Sequence, residues 1–174
     1  YAEHDQFIGV SVPELRKIAK QYRVLSLPQL QQLIASAINE ERLLALLILV
    51  GRYQTEDKQT QLQVYQFYLQ NLPHINNWNL VDASAHLIVG AQLFNNKDHT
   101  LLTMLAHSES MWEGRIAIVA SWYFIRQNQF KPTLHLAELL LADPQDLIHK
   151  AVGWMLREAG KRDQSVLEAF LGKH

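Results

Sequence analysis

At 174 residues, with 48% hydrophobic and 19% charged residues, the chain has the size and makeup of one globular domain with a substantial core. A net charge of −1 and a pI near 6.8 argue against a broadly basic nucleic-acid surface, although local charge can differ from the total. The lack of cysteine excludes disulfides and thiolate metal sites and favours a cytoplasmic setting, and the longest apolar stretch, Leu43 to Val50, is too short to span a membrane.

No signal peptide is visible, and the chain opens on Tyr1 rather than Met, so an N-terminal part is expected to be missing. Helix signals dominate. Ser11-Val12-Pro13-Glu14 combines a capping box with a first-turn proline and opens a helix over 12–22; Arg16, Lys17, Lys20 and Arg23 make this stretch locally basic. Ser26-Leu27-Pro28-Gln29 repeats the device for 27–37. Further helices are predicted over 39–53, 55–71, 77–91, 98–107 and 109–127. Lys131-Pro132 and Asp143-Pro144 open two more, over 131–141 and 144–159, and a last one covers 163–171. Short connections imply antiparallel neighbours.

A period near 36 runs through these helices. Arg42-Leu-Leu-Ala-Leu, Arg115-Ile-Ala-Ile-Val and Lys150-Ala-Val-Gly-Trp each place a cation before small and apolar residues, and a fourth copy falls at Asn79-Leu80-Val81-Asp82. Helix pairs at this period predict an all-α fold, a superhelical solenoid of antiparallel HEAT-like helix pairs. In that register Asp82 stands where the sister copies have Ala45, Ile118 and Gly153.

A carboxylate among apolar neighbours needs a partner or a task. Trp78 lies one helical turn before Asp82 on the same face, and two later helices supply Trp112 with Arg115, then Lys150, Trp154 and Arg157. Together they suggest a concave site of acid, indoles and arginine. Two readings stay open for each residue. Asp82 is either a helix–helix bond, for example to Arg115, or a functional acid. Arg115, inside an apolar helix, needs an anion, which is Asp82 or a phosphate. Trp78 and Trp154 are either packing or ligand contacts, with Gly153 leaving space beside Trp154. Trp122 follows the spacing of a core residue. Arg157 and Lys161 near a helix C-terminus are either solvated or phosphate-facing, and Arg42 is a weaker candidate of the same kind. The eight histidines, His4 and His86 among them, fall in no metal-ligand spacing, and no nucleophile elbow, phosphate loop or cysteine pair occurs.

Four segments resemble the DNA alkylation repair family, the AlkD-like DNA glycosylases: Phe7-Ile8-Gly9-Val10-Ser11-Val12-Pro13-Glu14-Leu15-Arg16-Lys17; Trp78-Asn79-Leu80-Val81-Asp82; Met111-Trp112-Glu113-Gly114-Arg115-Ile116-Ala117-Ile118; and Lys150-Ala151-Val152-Gly153-Trp154-Met155-Leu156-Arg157-Glu158. The resemblance implies a curved helical stack that cradles double-stranded DNA and hydrolyses the N-glycosidic bond of cationic N7- or N3-alkylated purines. It implies contact with the backbone of the damaged nucleotide rather than base flipping. It assigns the catalytic set to Asp82, Trp78, Arg115 and Trp154, with Arg42, Lys150, Arg157, Lys161 and Arg162 as DNA-binding cations. It implies no metal or other cofactor, no membrane and no obligate protein partner; the protein is expected to act as a monomer. The expectation is one domain over 1–174, shortened at its N-terminus, where relatives carry another helix. Gly114 stands where relatives often have a second arginine, and Asn79 replaces the first acid of the signature. The rival expectation is a non-catalytic helical-repeat scaffold that binds DNA or protein.

Overall fold

Ser11 and Ser26 both close capping boxes: Glu14 accepts the Ser11 amide at 3.1 Å, and Gln29 accepts the Ser26 amide at 2.8 Å. The computed structural model describes residues 5–174, so His4 lies outside the described residues. Among the described residues there are α-helices and no strands. In chain order they are α1 (Val12–Gln21), α2 (Leu27–Ile34), α3 (Asn39–Thr55), α4 (Lys58–Gln70), α5 (Trp78–Ala85), α6 (Ala91–Asn96), α7 (Thr100–Ala106), α8 (Met111–Ala120), α9 (Trp122–Arg126), α10 (Lys131–Leu140), α11 (Asp146–Gly160) and α12 (Gln164–Lys173). The all-α class read from the sequence is the class observed. No described helix is long and apolar enough to cross a membrane.

The chain divides into two compact units, Tyr1–Ile88 and Val89–His174. At the centre of the first lies α3, packed against α1, α2, α4 and α5. Its segment Leu43–Val50 is apolar on every side, the pattern of an internal helix, and all of it but Leu44 and Leu47 is buried. At the centre of the second lies α8, packed against α7, α9, α10 and α11 and buried from Gly114 to Ala120.

Two predicted helices are interrupted. The segment expected over 77–91 is α5, then a π-helical turn His86–Gly90, then α6 as far as Asn96. A Cβ at Gly90 would lie 2.1 Å from the Ala120 carbonyl oxygen and 2.9 Å from Tyr123 Cβ, so the two backbones touch and no other residue fits. The segment expected over 109–127 breaks at Ser121. That hydroxyl donates back to the Ile118 carbonyl at 2.7 Å and accepts from the Thr133 hydroxyl at 2.9 Å. The helix expected from 144 starts at Asp146, because Asp143 first accepts the Gln145 amide at 2.8 Å in a turn.

Candidate functional site

The N-terminus of α5, which carries Trp78 and Asp82, is tied to α3 by buried polar side chains. Asp5 accepts from the side-chain amides of Asn39 (2.7 Å) and Asn77 (2.8 Å) and forms an ion pair with Arg42. Arg42 also donates to the Asn76 side chain and, at 3.4 Å, to the His74 carbonyl. Asn39 and Asn79 exchange side-chain amide bonds of 3.3 and 2.6 Å. Burial works against charge on Asp5, but the Asn77, Asn39 and Arg42 contacts outweigh it and hold its carboxyl below the ordinary aspartate range. Arg42 is 4% exposed. The sequence placed it among the DNA-binding cations; in the structure its guanidinium is enclosed by the Asp5, Asn76 and His74 acceptors.

Glu40, one residue along α3, secures the segment that precedes α1. Its Oε1 accepts the Ile8 amide at 3.1 Å and the Gly9 amide at 2.9 Å, with Gly9 at a positive φ of 81°. Burial pushes the Glu40 carboxyl up, yet its own amide and those of Ile8, Gly9 and Val10 bring it below its ordinary value. The Phe7–Lys17 signature is thereby explained: its glycine makes the turn and its amides find a buried acid.

Trp78 begins α5 and is 52% exposed, and Asp82 follows one turn later, partly exposed. Below them, Tyr68 is fully buried with its hydroxyl 3.1 Å from the Ser84 hydroxyl. Burial raises the Tyr68 phenol far above its ordinary value; Ser84 offsets part of this, and the nearby negative charge of Asp82 adds to it. His86, on the π turn, is buried.

In the second unit Arg115 is 5% exposed and donates to the Leu147 carbonyl at 2.6 Å, fastening α8 to the first turn of α11. Trp154, half-buried on α11, meets Trp122 edge-on at 5.0 Å between ring centroids. Trp122, expected in the core, is therefore half-buried beside Trp154. Gly153 is exposed and faces open space. Lys150, Arg157, Lys161 and Arg162 are all exposed. Lys150 pairs with Asp146 (2.7 Å), Lys161 with Glu158 (2.7 Å), and Arg162 donates to Asn128 (2.9 Å). A Cβ at Gly114 would lie 3.5 Å from Ile148 Cδ1 and 3.8 Å from Leu140 Cδ2. A methyl there would meet helix packing at ordinary contact distances.

The structure brings Trp78 and Asp82 together on α5, and Trp154 and Trp122 together in the second unit. It also gives the period in the sequence a physical meaning. Arg42 and Arg115 occupy matching places on central helices, and each reaches a main-chain carbonyl 32 residues later. Sequence reasoning missed Asp5, Asn39, Glu40 and Asn77. The available signal was the density of Asn and Glu at the starts of α3 and α5, where polar side chains serve unpaired helix ends.

The family model described as DNA alkylation repair enzyme matches residues 1–174. Comparison with curated proteins finds no match. Among solved structures, the predicted DNA alkylation repair enzyme from Enterococcus faecalis aligns with a TM-score of 0.72 at 18% identity, covering 99% of this chain and 83% of that one. At that identity the likeness establishes a shared fold. With the family model spanning its full length, the chain belongs to the DNA alkylation repair enzyme family.

Proposed function

We propose that this protein is a monofunctional DNA glycosylase that hydrolyses the N-glycosidic bond of cationic N7- or N3-alkylated purines in duplex DNA. The observation that supports this reading best is the pair on α5: a half-exposed indole and a partly exposed carboxylate one turn apart, on a helix end fixed by a buried polar network. An alkylated purine with a positive ring leaves without a general acid. As C1′–N9 breaks, the bonding electrons neutralise the departing base and the deoxyribose becomes oxocarbenium-like. An ionised Asp82 facing that sugar stabilises the transition state more than the ground state. It also orients the water that adds to C1′ and takes up the proton the water sheds. Trp78 offers an electron-rich face to the developing cation.

The exposed cations Lys150, Arg157, Lys161 and Arg162 exchange their protein partners for phosphates in this reading, since surface ion pairs are worth only about 0–1 kcal/mol. Arg115 acts as a positioning residue through the Leu147 carbonyl of α11, the helix of Trp154. The test is release of 7-methylguanine from methylated duplex under single-turnover conditions. Asp82→Asn is expected to lower the rate by a factor of about 10² or more, with duplex affinity nearly unchanged. Release by Asp82→Asn at the wild-type rate refutes the role of Asp82. Wild-type binding without any release establishes the scaffold reading instead.

A further inference from the structure

The first unit holds a second chemical feature that the reading above does not use. A groove of about 390 Å³ between α1 and α3 is lined by Arg16, Lys20 and Arg23, over a floor that includes Leu47 and Val50. Among the described residues no carboxylate lines it. Arg16 and Lys20 stand one turn apart on α1 and Arg23 follows in the turn after it, so three like charges crowd one groove at an electrostatic cost. Among the described residues, Arg16 and Lys20 have no ion-pair or hydrogen-bond partner, in contrast to Lys150, Lys161 and Arg162. Arg23 is anchored by the Gly51 carbonyl at 3.3 Å and by the Thr55 hydroxyl, so one positive charge is fixed in place. Ala83, the neighbour of Asp82 in the chain, also lines the groove.

A cationic groove with no carboxylate among its described lining residues, bordered by the chain neighbour of Asp82, calls for a polyanion. We propose that Arg16 and Lys20 bind two successive phosphates of one DNA strand beside the lesion, with Arg23 as a fixed charge behind them. Four residues of helix rise by about 6 Å, close to the separation of successive phosphates along a strand. This inference rests on the DNA-repair reading, and its test separates the two. Duplex affinity is measured by fluorescence anisotropy across a potassium chloride series for wild type, the double variant Arg16→Gln/Lys20→Gln, and Lys58→Gln as a surface control on α4. Glutamine suits exposed helix positions, so the variants are expected to fold. The double variant should reduce the slope of log affinity against log salt by about 1.8 and weaken binding near 0.1 M salt by roughly 60-fold. At saturating protein it should release 7-methylguanine within about twofold of the wild-type rate, because phosphate contacts position and do not react. Lys58→Gln should leave the slope unchanged. A double variant with wild-type slope and affinity, in a protein that still binds and cleaves, overturns the phosphate track alone. A wild type that does not bind duplex overturns both proposals.

Discussion

Replacing Arg42 with alanine tests whether that guanidinium is a structural clamp or a DNA contact. In the structure it serves three acceptors, the Asp5 carboxylate, the Asn76 side chain and the His74 carbonyl, and it is almost entirely enclosed. Removing one partner of a buried ion pair leaves an uncompensated charge and costs about 3–5 kcal/mol. Against a total stability of about 5–15 kcal/mol that is a large fraction. With a urea dependence of about 2 kcal/mol per molar, the unfolding midpoint should fall by about 2 M. The double variant Asp5→Ala/Arg42→Ala should cost less than the two singles combined, with a coupling of at least about 1 kcal/mol, because it removes both charges together. A phosphate-facing arginine would behave in the opposite way: the midpoint would hold and the salt slope of DNA binding would shrink by about 0.9. A midpoint shift below about 0.5 M, or strict additivity in the cycle, refutes the clamp.

The remaining predictions concern packing and pH. Gly90→Ala should destabilise by about 2 kcal/mol or more, since the added methyl overlaps the Ala120 carbonyl and overpacking outweighs the helix-propensity gain; calorimetry showing an unchanged or raised Tm would count against the close backbone contact. Gly114→Ala should do the reverse, raising stability by up to about 1 kcal/mol, because its methyl meets Ile148 and Leu140 at ordinary distances. Asp5 has a folded pKa below its unfolded value, so its contribution is present above the unfolded value and is lost as pH falls through the folded one. Asp5→Asn should therefore lose less stability than wild type between about pH 5 and pH 3, and identical losses in the two proteins would disprove the linkage.

Local chemistry was the legible part of the fold. The helix starts at Ser11 and Ser26 follow from four adjacent residues, and they occur where those residues put them. The breaks at Gly90 and Ser121 were not legible, because each is imposed from a distance: Gly90 by the Ala120 carbonyl, and the Ser121 bend in part by Thr133. The same divide runs through the site. The one-turn spacing of Trp78 and Asp82 is a property of the helix alone. The setting of Arg42 depends on Asp5, far away in sequence, and a cation on a helix reads identically whether it meets solvent or a buried acid. Composition misled in one further respect. A near-neutral total hid a groove in which Arg16, Lys20 and Arg23 stand with no acid among the described lining residues, while Glu40 is turned to the Ile8 and Gly9 amides.

The matched reach of Arg42 and Arg115 has a bearing on how the molecule opens. Each side chain leaves a central helix and grips the main chain at the threshold of the next helical repeat, so fraying of that repeat strands a guanidinium in the interior. Neighbouring repeats inside each unit are thus coupled as nearest neighbours in a one-dimensional array rather than stacked as independent blocks. Amide exchange in the short 3-10 turn Leu72–His74, which precedes α5, should then share its opening rate with α3, and exchange in the first turn of α11 with α8, a cooperativity set by two side chains rather than by the extent of the packed surface.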